Sequence, residues 1–251
     1  MIELGSAAVL STFVLFCRIG GCLMLMPGFS SPRVPVNVRL FIAIGVTLAL
    51  APLLLPEASR AVPDGSFVSL VPVMISELVI GMMIGLLGRL FFLALQTLAT
   101  AVAMSIGFGN MFGAPVEDTE PSAPLVSLVT LTATVLVFVT DQHWQIFSGL
   151  AASYEALPIS AGFGVRFGLS QVADSLTEAF FLALRVSSPF IVYSVIVNLA
   201  IGLANKLTPQ IPVYFISLPF VIAGGLFLLY FAVKEFVGLF ILGFGSFLAT
   251  G

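Results

Sequence analysis

Residues 67–106 read FVSLVPVMISELVIGMMIGLLGRLFFLALQTLATAVAMSI. The stretch is apolar almost throughout, and a helix needs only about 20 residues to cross a bilayer. One span cannot use all of it, so it is expected to kink or split, with Gly81, Gly85 and Gly88 as the places to do so. Outward from it, apolar stretches recur at 5–26, 38–55, 124–140, 179–204 and 211–233, followed by a shorter one at 236–249. Such lengths belong to membrane helices. The fold class is therefore all-α: a polytopic integral membrane protein of about six to eight helices, some of them kinked or re-entrant. Apolar helices buried against sister subunits have the same hydropathy as lipid-facing ones, so the segments need not all span.

Composition agrees. Of 251 residues, 59% are hydrophobic and 8% charged, against about 25% charged in a soluble domain. The net charge of −3 is spread thinly. No basic run exists to grip nucleic acid, and no polybasic patch to hold anionic lipid. The first 27 residues carry Glu3 where a signal peptide would be basic, run apolar for too long, and show no A-x-A cleavage site, so this segment is expected to be retained. Cys17 and Cys22 face different directions on a helix and are expected to be small buried residues rather than a disulfide or a metal pair.

The connections carry the helix breakers: Pro27-Gly28, Pro32 and Pro35, then Pro52, Pro56, Pro63 and Asp64-Gly65, then 115–124, and finally Pro209 with Pro212. The longest non-spanning region, 141–178, holds His143, Trp144, Tyr154, Arg166 and Asp174. Its mixed character suits helices in the interface or packed on the bundle. Arg33 and Arg39 in the first connection favour a periplasmic N-terminus. No fixed-period repeat and no pair of matching halves is visible, which lowers the case for a carrier.

Arg18, Glu77 and Arg185 sit inside apolar stretches. A lone charge at the bilayer centre costs on the order of 3 kcal/mol, so each needs a partner, a carbonyl or water. They either line a permeation path or form buried structural pairs and snorkelling arginines. If Arg18 and Glu77 simply pair, exchanging them should retain more assembly than either single change. Gly81, Gly85 and Gly88 share a small face in the G-x-x-x-G manner, which lets a helix of this chain or of another subunit approach closely. Asn198 and Gly202 form a weaker one.

At 104–114 lies MSIGFGNMFGA, where glycines break the helix while Phe108, Met111 and Phe112 supply apolar bulk. Gly107-x-Gly109 is no dinucleotide fingerprint, because Phe112 occupies the third glycine position. A buried re-entrant segment, a hydrophobic plug and a loop packed on a neighbour are all allowed. The one histidine, His143, has no ligand cluster near it in sequence, and no nucleophile elbow, P-loop or zinc helix motif occurs. Catalysis, a metal and a cofactor are not expected.

Arg18-Ile-Gly-Gly, Pro27-Gly-Phe-Ser and Val34-Pro-Val-Asn-Val-Arg39 resemble the opening of the FliR family. So, in order, do Glu77-x-x-x-Gly81-x-x-x-Gly85, Pro121, Gln142-His143, Asn198-Leu-Ala-Ile-Gly202 and Thr208-Pro-Gln210, across nearly the whole chain. Pro212 departs from the polar residue expected there. The resemblance implies one membrane-embedded domain over 1–251, with a FliP-like part at 1–178 and a FliQ-like C-terminal hairpin region at 179–251. It implies assembly with FliP and FliQ, with FlhB and FlhA nearby, around a pore for unfolded exported proteins in the bacterial inner membrane at the flagellar basal body. It also implies that Phe108, Met111 and Phe112, hinged by Gly107, Gly109 and Gly113, help plug the closed pore. The alternatives are the equivalent subunit of a virulence injectisome, and a proton- or solute-coupled transporter relaying through Arg18, Glu77 and Arg185.

Overall fold

The computed structural model describes residues 2–31, 34–61, 67–107, 124–159 and 165–250. These form seven α-helices: α1 (Ile2–Leu25), α2 (Val36–Ala61), α3 (Phe67–Ser105), α4 (Pro124–Val139), α5 (Gln142–Ala156), α6 (Val165–Leu207) and α7 (Val213–Thr250). Among the described residues there is no strand. Five of the helices are long and apolar enough to cross a membrane, and α4 with α5, bent by 71° at the break between them, pass the same test only as a pair.

Pro52 and Pro56, expected in the second connection, lie inside α2, which runs on through both to Ala61, whereas the other described breakers act where the sequence puts them. Gly28, with φ +89, turns the chain after α1, and the Arg39 guanidinium holds the following turn by donating from Nε to Val34 O (3.0 Å) and from Nη2 to Ser31 O (2.6 Å). Pro35 starts α2, its carbonyl accepting from the Val38 and Arg39 N–H groups. Gly107, with φ +78, stops α3 in the left-handed conformation that favours glycine. Between α6 and α7 a turn closes with Ile211 N–H donating to Thr208 O. Pro32, Arg33, Pro63, Asp64, Gly65, Pro115 and Pro121 lie outside the described residues.

Three further expectations change. α3 runs through Gly81, Gly85 and Gly88 unbroken, because those glycines are spent on close packing rather than on a break. The apolar stretches 211–233 and 236–249 are one helix, α7, whose Lys234 and Glu235 are exposed and so need not interrupt it. α6 begins at Val165, so 141–178 holds α5 and the start of α6.

The chain forms two compact units: Met1–Leu90, Val137–Leu176 and Gly245–Gly251 make the first, Phe91–Leu136 and Thr177–Phe244 the second. In the first, α2 packs along α1. α1 and α3 run parallel on a seam of small residues. A Cβ added at Gly81 would strike the Arg18 carbonyl, one at Gly85 the Cys22 carbonyl, and one at Gly88 the Met26 sulfur, while one at Gly21 would come within 2.9 Å of Leu78 O. The G-x-x-x-G partner is therefore α1 of the same chain. Cys22 is buried in this seam and Cys17 is half-buried, both as free thiols.

In the second unit, Ala99, Val102, Ala103 and Ile106 of α3 pack with Leu125 and Val126 of α4 and Phe190 of α6. Phe91, Phe92, Phe240 and Phe244 form an aromatic cluster with ring centroids 5.4–6.0 Å apart. Only 11% of the apolar window of α6 and 6% of that of α7 are buried within the chain. Those helices meet lipid or other subunits.

Close packing generates a contrast between glycines. Gly81→Ala should lower the stability of the full chain by about 1–3 kcal/mol, the usual cost of overpacking. Gly45→Ala, where nothing lies within 4 Å of an added Cβ, should leave it unchanged or raise it by up to about 1 kcal/mol. Heat-induced unfolding in detergent compares the two, and equal melting temperatures would contradict the seam.

Candidate functional site

Glu77, Gly81 and Gly85 recur every four residues and so share one face of α3, as Arg18, Cys22 and Met26 do on α1. The glycine seam brings these faces close enough for the charge on each helix to reach the other. Arg18 Nε donates to Glu77 Oε2 at 2.6 Å and Nη2 to Glu77 Oε1 at 2.7 Å, a bidentate pair with both side chains fully buried.

The other edge of the guanidinium belongs to α5. Nη1 donates to Ser153 O (3.0 Å) and Ser153 Oγ (3.3 Å), and Nη2 to Leu157 O (2.8 Å). The Arg18 Cζ sits 4.0 Å from the centroid of the Tyr154 ring, a cation–π contact, and the Tyr154 hydroxyl donates to Leu15 O at 3.4 Å. Each guanidinium nitrogen thus has an acceptor for its N–H groups, and one side chain joins α1, α3 and α5. A saturated cluster of this kind holds helices in place. It offers no loosely held proton for a relay.

Arg185 belongs to the second unit and is exposed, with no ion pair among the described residues. Of the three charges expected inside apolar stretches, Arg18 and Glu77 are the two that the first unit pairs. Arg89, a further charge inside α3, is exposed as well. His143 is half-buried among the rings of Phe138, Trp144 and Phe147, with centroids 5.7, 5.9 and 6.4 Å away. Phe29, delivered by the turn at Gly28, adds to this cluster from the end of α1, 5.4 Å from Phe138 and 5.9 Å from Phe147. Among the described residues no group of three His, Cys, Asp or Glu side chains could hold a metal ion.

Of the glycine-rich loop, only its root is described. A Cβ added at Gly107 would lie 3.3 Å from Leu218 Cδ1, and the preceding Ile106 is buried against Gly225 of α7. Beside it the Tyr193 hydroxyl donates to Val221 O at 2.8 Å and closes on Gly224. Phe108, Gly109, Met111, Phe112 and Gly113 lie outside the described residues.

Sequence reasoning missed the α5 acceptors, because two of them are backbone carbonyls and leave no mark in residue type. It also missed the turn-closing role of Arg39, although Arg39 stood in a quoted motif. Replacing either Arg18 or Glu77 alone with leucine should cost about 3–5 kcal/mol, since the remaining charge is stranded in a buried site. The level of full-length chain in membranes and its unfolding temperature measure this, and wild-type values for either single variant would contradict the burial described.

The sequence profile of the bacterial export proteins, family 1, matches residues 9–246. A protein named flagellar biosynthetic protein FliR from Caulobacter vibrioides is 29% identical, over 86% of this chain and 85% of its own. Proteins of the same name from Aquifex aeolicus and Escherichia coli are each 27% identical, over 91% and 84% of this chain and 88% and 80% of theirs. With the match running from Val9 in α1 to Ser246 in α7, this membrane protein belongs to the bacterial export proteins, family 1.

Proposed function

We propose that the chain is a subunit of the export gate of the flagellar type III secretion system, helping to form and close the pore through which unfolded flagellar proteins cross the bacterial inner membrane. The observation that carries this reading is the family match over residues 9–246. The flagellar names of the relatives favour the flagellum over an injectisome. The exposed apolar faces of α6 and α7 are surfaces that partner subunits would cover. FliP and FliQ are those partners, with FlhB and FlhA nearby at the basal body. The resemblance divides the chain into a FliP-like part at 1–178 and a FliQ-like hairpin region at 179–251. Transport is not chemistry on the substrate, and the chain acts as a wall and a gate rather than as an enzyme.

In that gate Phe108, Met111 and Phe112 form part of the apolar barrier of the resting pore. A narrow apolar constriction resists wetting and gives ions no replacement for their hydration shell, while flexible Met and rotating aromatic rings yield to a passing chain. Gly109 and Gly113 supply freedom within the loop, and Gly107 fixes where it leaves α3. Tagged full-length chain, produced with FliP and FliQ, should purify as a stable complex with both. In that complex, alanine at all three bulky positions should raise resting ion conductance without changing the subunit composition. A chain that purifies free of both partners contradicts the gate reading. Wild-type conductance from a fully assembled triple variant contradicts the plug alone.

A further inference from the structure

The contacts of α5 fix its position along α1. Phe147 lies beside Phe29, just past the C-terminal end of α1, whereas Ser153 and Leu157 lie beside Arg18 and the Tyr154 hydroxyl reaches Leu15. α5 therefore runs antiparallel to α1 and ends beside its middle. Arg18 stands well inside Ala8–Leu25, the part of α1 apolar and long enough to cross a membrane. With 15 residues, α5 is about 22 Å long, shorter than the hydrocarbon core of about 30 Å.

A helix that stops within an apolar layer leaves its last carbonyls without water. At the end of α5, Ser153 O accepts the last helical bond from Leu157 N–H at 2.9 Å, and Leu157 O lies beyond the final turn. Both also accept from Arg18. A cation at this terminus also complements the helix dipole. Glu77, holding the opposite edge of the guanidinium, aims it.

We propose that α5 is a re-entrant half-helix ending inside the apolar layer, and that Arg18, positioned by Glu77, is the cap that keeps its end there. Arg18 is thus a positioning residue acting on α5, and its pairing with Glu77 is the means rather than the purpose. An ion pair alone is indifferent to which helix carries which charge. A cap is not, because a carboxylate on α1 would face the carbonyls of α5 and repel them. The exchange expected to relieve a simple pair therefore fails here.

Hydrogen exchange of the full chain, within its assembled complex in lipid nanodiscs, tests the assignment at the final turn of α5. In Arg18→Lys the charge and the contact with Glu77 remain, but three donors on a single nitrogen replace five spread over a planar fork, which spans from Glu77 to both carbonyls of α5. Exchange at 153–159 should rise about tenfold, the loss of one charge-assisted hydrogen bond, while α1 and α3 exchange as in wild type. In the exchanged pair, Arg18→Glu with Glu77→Arg, the same segment should exchange at least as fast as in Arg18→Lys, or the chain should fail to assemble. Wild-type exchange at 153–159 in Arg18→Lys, or its restoration in the exchanged pair, overturns the cap.

Discussion

A guanidinium in an apolar layer must find acceptors for five N–H donors or else stay in water. Arg18 finds them on two other helices of its own chain, and that requirement organises the first unit. Bidentate geometry to Glu77 demands that α1 and α3 lie close, and closeness demands glycine at 21, 81 and 85. The remaining donors demand carbonyls, and the end of α5 supplies them. Charge, seam and helix terminus are consequences of one another. Altering any one leaves a buried polar group without a partner or a side chain where backbone must pass.

The second unit works differently. Its described core is apolar and aromatic, with the Tyr193 hydroxyl bonded to Val221 O; its small residues serve to seat Ile106 and Tyr193 against α7, and much of the surface of α6 and α7 is left for lipid or neighbouring subunits. The buried Arg18–Glu77 ion pair belongs to the first unit. The root of the glycine-rich loop rises from the second, where Ile106 packs on Gly225 and the Tyr193 hydroxyl donates to Val221 O beside it.

The existence of the helices was legible in the sequence because hydropathy reports it directly. Their boundaries were less so. Hydropathy breaks at Lys234 and Glu235, but backbone hydrogen bonding does not, since exposed charges can leave a helix sideways. The glycines of α3 carry two meanings, break or close approach, and only a partner helix decides between them. Arg18 and Glu77 were legible as costly residues in need of partners. Ser153 and Leu157 were not, because a carbonyl is present at every position and its use as an acceptor depends on where a helix ends. The family was legible from short motifs in order, several of which are structural: Arg18-Ile-Gly-Gly contains the charge and the small residue of the seam, and Arg39 closes the turn its own motif spans.

The central claim is that one buried arginine joins α1, α3 and α5 in the membrane-embedded chain. Solid-state NMR on the assembled complex in lipid, recoupling the Arg18 guanidinium ¹⁵N nuclei to ¹³C at the Glu77 carboxylate and the Leu157 carbonyl, tests it directly. The account predicts strong dipolar coupling to both carbons, with the N···O separations of 2.6–2.8 Å seen here. Coupling to Glu77 with none to Leu157 would leave an ordinary ion pair between α1 and α3, and would contradict the claim that the arginine holds α5.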